Sequence, residues 1–162
     1  MTVRVALLTV SDRGAAGLRQ DTSGDLLARW VAERGYSLCD RQVVPDDTDR
    51  IAGVLTRWAD DGVADLIVTT GGTGMGPRDN TPEATLAVLE REAPGVAEAL
   101  RADGRASTPF SALSRGVAGI RGAALIVNLP GSTGAVRDGI TTLAHIVEHA
   151  VELLREERTE HS

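Results

Sequence analysis

Two apolar runs dominate the first half of the chain, "VRVALLTV" at 3–10 and "DLIVTT" at 65–70, and each ends in polar or glycine-rich sequence. Runs this short and unbroken predict strands buried on both faces, as in a parallel sheet covered by helices. Between them, residues 22–35 carry Leu26, Leu27, Trp30 and Val31 at helical spacing, with Gly35 as a stop. A strand over 37–44 follows, then a second helix capped by Asp47 or Thr48 and ending at Gly62. Downstream, "PEATLAVLER" and "PGVAEALRADG" read as helical, and 115–121 and 123–129 as two strands turning near Arg121-Gly122. Residues 133–157 read as one long closing helix, with Val136, Ile140, Leu143, Val147, Val151 and Leu154 on its apolar face. The order predicts an α/β fold: a single-domain, doubly wound, mostly parallel sheet with helices on both faces. That domain is expected over 1–157, with 158–162 as a frayed tail.

Charge and cysteine content narrow the functions such a fold could serve. A formal net charge of −6 argues against a nucleic-acid surface, which shows as a basic patch or stripe. All 17 basic residues are arginines, so Schiff-base chemistry and a P-loop lysine are excluded. An anionic ligand would have to be held by arginine, hydroxyls, backbone N–H groups or a metal. Cys39 is alone, which excludes an intrachain disulfide and points to the cytoplasm; its place in the alternating "YSLCDRQVV" suggests packing. No apolar run approaches a membrane span, so no membrane partner is expected.

Ligands of open α/β sheets bind outside the carboxyl ends of the strands. Four polar segments leave such ends: "SDRGAAG" at 11–17, "PDD" at 45–47, "GGTGMGPRDNTPE" at 71–83 and "NLPGSTGAV" at 128–136. In the third, Gly71, Gly72 and Gly74 allow backbone N–H groups to face a ligand without an intervening side chain, and Thr73 adds a hydroxyl. Thr81, followed by Pro82 and Glu83, reads as a helix N-cap whose positive end points back at the loop. Arg78 offers a guanidinium for a phosphate oxygen, and Asp79 a carboxylate for a metal or a proton. A phosphate-bearing small molecule and a plain structural turn both remain open on these grounds. Two standard nucleotide motifs fail: there is no Walker lysine, and Pro77 occupies the third glycine position of the dinucleotide fingerprint.

"LTVSDR", "VPDD", "TTGGTG…RDNTPEAT", "ALSRGVAGIRG" and "LIVNLPGS", in this order over nearly the whole chain, resemble the MogA/MoaB family of molybdenum-cofactor biosynthesis proteins and the gephyrin G domain. The resemblance implies the MogA/MoaB-like molybdopterin-binding fold and binding of molybdopterin. For the adenylyltransferase members it also implies adenylylation by Mg-ATP with release of pyrophosphate. It assigns Asp46 and Asp79 as the essential acids and Mg²⁺ ligands. It assigns substrate contacts to Ser11, Asp12, Gly71, Gly72, Thr73, Gly74, Ser114, Gly131 and Ser132; Arg78 and the neighbouring Thr70, Arg115, Asn128 and Pro130 complete the expected substrate-binding set. It further implies a homotrimer, with a hexamer in the MoaB-like branch, and a molybdenum-insertion protein as a partner. Many members read Pro-Lys after "PGS", whereas this chain reads Thr133-Gly134, so no basic contact carries over there.

Three alternatives stay open. Asp46 could be a capping acid on the second helix, and Asp79 an acid serving the next helix end. The chain could bind molybdopterin as a non-catalytic carrier or assembly protein. "HIVEH" at 145–149 matches a zinc-protease pattern, its two histidines one helical turn apart, although a solvated helix face explains the same residues.

Overall fold

A computed structural model describes residues 2–160, with side chains through residue 156. The chain order is β1 (Arg4–Val10), α1 (Asp12–Ala15), α2 (Thr22–Glu33), β2 (Ser37–Val44), α3 (Thr48–Asp60), β3 (Leu66–Thr70) and α4 (Thr81–Val88). It continues through β4 (Arg91–Glu92), α5 (Pro94–Gly104), a 3-10 turn (Pro109–Leu113), β5 (Ala118–Arg121), β6 (Ala124–Leu129), α6 (Thr133–Ala144) and α7 (Val147–Glu160). One six-stranded sheet runs in the order β2-β1-β3-β6-β5-β4. β2, β1, β3 and β6 are parallel neighbours, while β5 pairs antiparallel with both β6 and β4. The expected doubly wound, mostly parallel sheet is therefore present.

Alternation of side chains along each strand divides the interior into two cores. On one face Val5, Leu7, Leu66, Val68, Leu125 and Val127 meet Leu27 and Trp30 of α2, Val136 and Leu143 of α6, and Val147, Val151 and Leu154 of α7. On the other, Ala6, Leu8, Ile67 and Ile126 meet Ile51, Leu55 and Trp58 of α3 and Val88 of α4. Every residue of β1 after Arg4, and every residue of β3, is buried, which explains why these runs show no alternation. The register matters for function: Val10 pairs with Val44, Thr9 with Thr70, and Thr70 with Leu129. The four parallel strands thus end level, and their exit loops share one edge.

Along the fold the structure departs from the sequence reading in several places. The closing helix is two helices. The N–H groups of His145 and Ile146 donate to Thr142 and Leu143, three residues back, and this tightened turn ends α6 before α7 begins. The apolar face survives the break because residues on both sides still reach the same core. "ER" at 90–91 is not helical: α4 stops at Val88 and Arg91–Glu92 form an edge strand. Cys39 is exposed rather than packed, because β2 is the other edge of the sheet and its first half faces outward. α7 runs to Glu160, beyond the expected helix end, and residues 161–162 of the frayed tail expected over 158–162 lie outside the described residues.

At the edge opposite the exit loops, a carboxylate gathers the start of the sheet. Asp65 is 4% exposed. It accepts from the Arg4 N–H at 2.9 Å, Arg4 Nη2 at 3.0 Å and Arg155 Nη2 at 2.8 Å, tying β1, β3 and α7 together. Burial works to raise its pKa, but the Arg4 side chain and backbone and the Arg155 side chain outweigh it and hold the carboxyl below its usual range. We expect Asp65→Ala to cost about 3 kcal/mol in denaturant unfolding at neutral pH, the scale of stripping one partner from a buried pair. A depressed folded pKa contributes stability above the unfolded pKa that disappears as pH falls through the folded one. The difference between parent and variant should therefore shrink in acid, and a variant as stable as the parent at neutral pH would contradict the assignment.

Candidate active site

The loop after β3 is anchored by close backbone approach. Gly71 has φ of +99°, and a Cβ there would stand 2.3 Å from the Val10 carbonyl oxygen of β1. Its N–H donates to the Leu129 carbonyl of β6 at 3.0 Å, so the turn is wedged between the ends of two neighbouring strands. Gly72 has φ of +68°, and a Cβ would meet Thr81 Oγ1 at 2.2 Å. Both positions require glycine because the loop packs tightly against Val10 and Thr81. Thr81 differs from expectation: Asn80 is the N-cap position, and Thr81 is the buried first residue of α4. Its hydroxyl donates to the Gly71 carbonyl at 3.0 Å and its N–H to Gly72 at 3.1 Å, so it fastens the loop instead of capping the helix.

The two predicted acids are held on either side of this loop. Asp47, not Asp46, caps α3, accepting from the Arg50 N–H at 3.0 Å; the capping reading of Asp46 falls. Asp46 Oδ1 instead accepts from the Asn80 N–H at 3.2 Å, and its own N–H donates to Asp12 Oδ1 at 2.9 Å. Asp79 turns away from α4, its Oδ2 accepting from the Gly76 N–H at 3.0 Å, so it does not serve the helix end. A Cβ on Gly72 would stand 3.0 Å from Asp46 Oδ2, and one on Gly74 would stand 2.8 Å from Asp79 Oδ2. Both carboxylates therefore lie against the glycine segment. Burial pushes the Asp46 carboxyl above the ordinary range; the Asn80 N–H opposes this, and the charges of Asp79 and Asp12 add to it.

A cavity of about 770 Å³ opens beside the loop. Gly71, Gly72, Thr73, Gly74, Asp79, Ser114, Asn128, Pro130, Gly131 and Ser132 line it, bringing most of the sequence-predicted residues together. Ser11, Asp12, Asp46, Thr70, Arg78 and Arg115 are not part of its lining. Several predicted contacts are engaged in building the site. Ser11 and Ser132 are N-caps of α1 and α6. Thr70 donates to the Pro130 carbonyl at 2.8 Å. Buried Asn128 donates to Thr69 and Thr85 and accepts from the Val117 N–H. Arg78 is 70% exposed in its side chain and grips Asp12 with Nε at 2.8 Å and Nη2 at 3.1 Å.

The far wall was missed by the sequence reading. It comes from Leu100 and Arg101 of α5, from Ser107 and Thr108 in the connection after it, from Phe110 and Ser111 of the 3-10 turn, and from Asp138 of α6. Arg101 Nη1 donates to the Gly116 carbonyl at 2.8 Å, and Ser111 Oγ to the Arg101 carbonyl, so this wall is cross-braced. The only available signal was "STPFSALS", a stretch of hydroxyls around the chain's one phenylalanine without strand or helix period. The "HIVEH" histidines belong to different elements: His145 is the C-cap of α6, while His149 lies on α7 and pairs with Glu152 at 3.6 Å. No group of three or more His, Cys, Asp or Glu placed to hold a metal occurs among the described residues. No helix among them is long and apolar enough to cross a membrane.

Comparison with known proteins converges on one family. Residues 6–149 match the family model described as "Probable molybdopterin binding domain". The chain is 39% identical over 154 residues to the molybdenum cofactor synthesis protein cinnamon of Drosophila melanogaster, covering 94% of this chain and 26% of that protein. The chain thus spans only about a quarter of that relative. It is 35% identical over 155 residues to the molybdopterin adenylyltransferase of Helicobacter pylori, covering 94% of this chain and 88% of that one. The crystal structure of the molybdopterin biosynthesis enzyme MoaB from Thermus thermophilus superposes with a TM-score of 0.89 at 46% identity, covering 94% and 96% of the two chains.

The charge state of Asp46 yields a test that needs no ligand. Folding raises its pKa, so above the unfolded pKa the ionised carboxylate opposes folding. In metal-free buffer at neutral pH, Asp46→Asn should raise the thermal midpoint. That gain should vanish as pH falls through the raised pKa to below about 4, where the parent is protonated too. A lower midpoint at neutral pH would refute this reading.

Proposed function

This chain belongs to the family of that molybdopterin-binding domain, and on that premise we propose that it binds molybdopterin and adenylylates it with ATP, releasing pyrophosphate, in molybdenum cofactor biosynthesis. The observation that carries the proposal is the glycine loop, which lines a cavity large enough for a small molecule and packs against two carboxylates, Asp79 in the cavity lining and Asp46 behind Gly72 outside it. The relative named molybdopterin adenylyltransferase supports the transfer chemistry over a carrier role.

In the proposed reaction a terminal phosphate oxygen of molybdopterin attacks the α-phosphorus of ATP. The bond from that phosphorus to its bridging oxygen breaks, and pyrophosphate leaves with the electron pair. The nucleophile is already ionised, so no histidine base is needed. The glycine loop and the start of α6, with backbone N–H groups and the hydroxyls of Thr73, Ser114 and Ser132, orient the anions. Asp46 and Asp79 fit Mg²⁺, because two hard carboxylates are the protein share such an ion takes when phosphate oxygens complete its shell. When bound, the ion would neutralise charge developing on the phosphates. The Asp46 carboxyl is raised mainly by burial, and the charges of Asp79 and Asp12 that add to it are ones a bound cation would offset.

By the same proposal the protein works in the cytoplasm as a homotrimer, with a hexamer as the larger assembly, and passes its product to a molybdenum-insertion protein. Light scattering should give three or six times the 17.0 kDa chain mass; a concentration-independent monomer would refute the assembly. Purified protein supplied with molybdopterin, Mg²⁺ and ATP should release pyrophosphate. Asp79→Asn should lower that rate about a hundredfold or more, the scale of losing one electrostatic stabiliser. Calorimetry should show molybdopterin affinity falling far less. Near-normal turnover by Asp79→Asn would remove Asp79 from the chemistry.

A further inference from the structure

Arg115 touches the loop at three points and α4 at a fourth, and the cavity at none. Its backbone N–H donates to the Thr73 carbonyl at 2.8 Å. Its side chain donates from Nε to the Gly74 carbonyl at 2.8 Å and from Nη2 to the Asp79 carbonyl at 2.7 Å, while Nη1 binds the Glu83 carboxylate of α4. Thr73, Gly74 and Asp79 line the cavity, whereas Arg115 does not. It therefore stands behind the loop.

A trans peptide is planar, so a carbonyl pulled to one side sends the N–H of the same unit to the other. No peptide in the described chain is cis. The Asp79–Asn80 unit shows the consequence directly: its carbonyl accepts from Arg115 Nη2, and its N–H donates to Asp46 Oδ1 at 3.2 Å. One rigid plane thus joins Arg115 to Asp46 and carries Asp79 at its root. The carbonyls of Thr73 and Gly74, also held by Arg115, turn the N–H groups of Gly74 and Met75 away from it. A lysine could not perform this task, since its single nitrogen cannot reach two carbonyls five residues apart along with a carboxylate.

The geometry points to Arg115 as the positioning residue for both acids, acting through the Asp79–Asn80 peptide and not through contact with the ligand. The inference rests on the proposed function for its catalytic consequence, but its structural half can be tested without substrate. In free Arg115→Lys protein, the Asn80 amide should exchange with solvent about tenfold faster, while core amides such as Val68 and Ile126 keep their protection. Glu83→Gln, which loosens the guanidinium without removing it, should shift Asn80 in the same direction by less, and decides the matter if Arg115→Lys does not fold. With substrates, kcat of Arg115→Lys should fall about a hundredfold, the scale of a misplaced reacting group, with a much smaller change in KM for molybdopterin. Unchanged Asn80 exchange in both variants would overturn the inference, and so would equal acceleration of core amides or a loss confined to KM. A parent protein that releases no pyrophosphate would defeat the proposed function alone, leaving the exchange comparison to judge Arg115.

Discussion

The ligand edge of this molecule depends on one close approach, that of the Gly71 Cα to the end of β1. With any side chain there, a Cβ would sit 2.3 Å from the Val10 carbonyl, and β3 could not turn where it does. Because β3 lies between β1 and β6, a displaced turn would also lose the hydrogen bond from Gly71 to Leu129 and crowd Gly131, whose Cβ position is already 3.3 Å from the Gly71 Cα. Thr81 then hangs α4 from the carbonyl of this same glycine. The position of α4 fixes Asn80, and Asn80 reaches Asp46. A chain of short, directional contacts therefore runs from a backbone constraint in the sheet to the acid on the next loop.

The sheet was legible because burial on both faces leaves a plain mark. β3, and β1 after Arg4, contain nothing that has to face water, and α2 and α3 each carry an apolar stripe between recognisable end signals. The exit loops were legible for the opposite reason, since glycine and hydroxyl residues cluster where a strand has just ended. What escaped was whatever depends on distant partners. β4 is a two-residue strand that exists only because β5 supplies its hydrogen bonds. The break after α6 leaves the apolar stripe intact, so periodicity cannot reveal it. Thr81 has the composition of a cap, and only the position of Gly71 shows that its hydroxyl is used elsewhere.

The site residues divide along the same line. Asp79 and the glycines were recognisable because their local sequence is unusual, and the structure gathers them at one cavity. Arg78 was read as a ligand contact because an arginine beside a glycine loop resembles an anion binder, and Arg115 was expected among the contacts next to Ser114. In the structure both hold protein groups, Arg78 the Asp12 carboxylate and Arg115 the loop carbonyls. No local pattern distinguishes a guanidinium aimed at a ligand from one aimed at a backbone thirty or more residues away. The wall formed by α5 and the 3-10 turn was illegible for a related reason: its residues become a surface only when α5 packs beside α6.

The two ends of the sheet treat negative charge in opposite ways, and that contrast bears on function. At the edge opposite the exit loops, Asp65 is buried yet held by two arginines, and its carboxyl is drawn below the usual range. At the exit edge, neither Asp46 nor Asp79 forms an ion pair with an arginine among the described residues. The guanidiniums within reach are already committed, and Asp46 is pushed upward by burial and by its acidic neighbours. A fold that neutralises a carboxylate so thoroughly at one end has no structural need to leave two exposed to each other at the other. The ionised Asp46 opposes folding, as stored strain at functional sites does, and under the proposed function a cation with its attached phosphates would relieve it. Arg115, which stays out of the cavity, serves the same end under the proposed function: by bracing the loop from behind, it would hold the acids in place without pairing with either carboxylate.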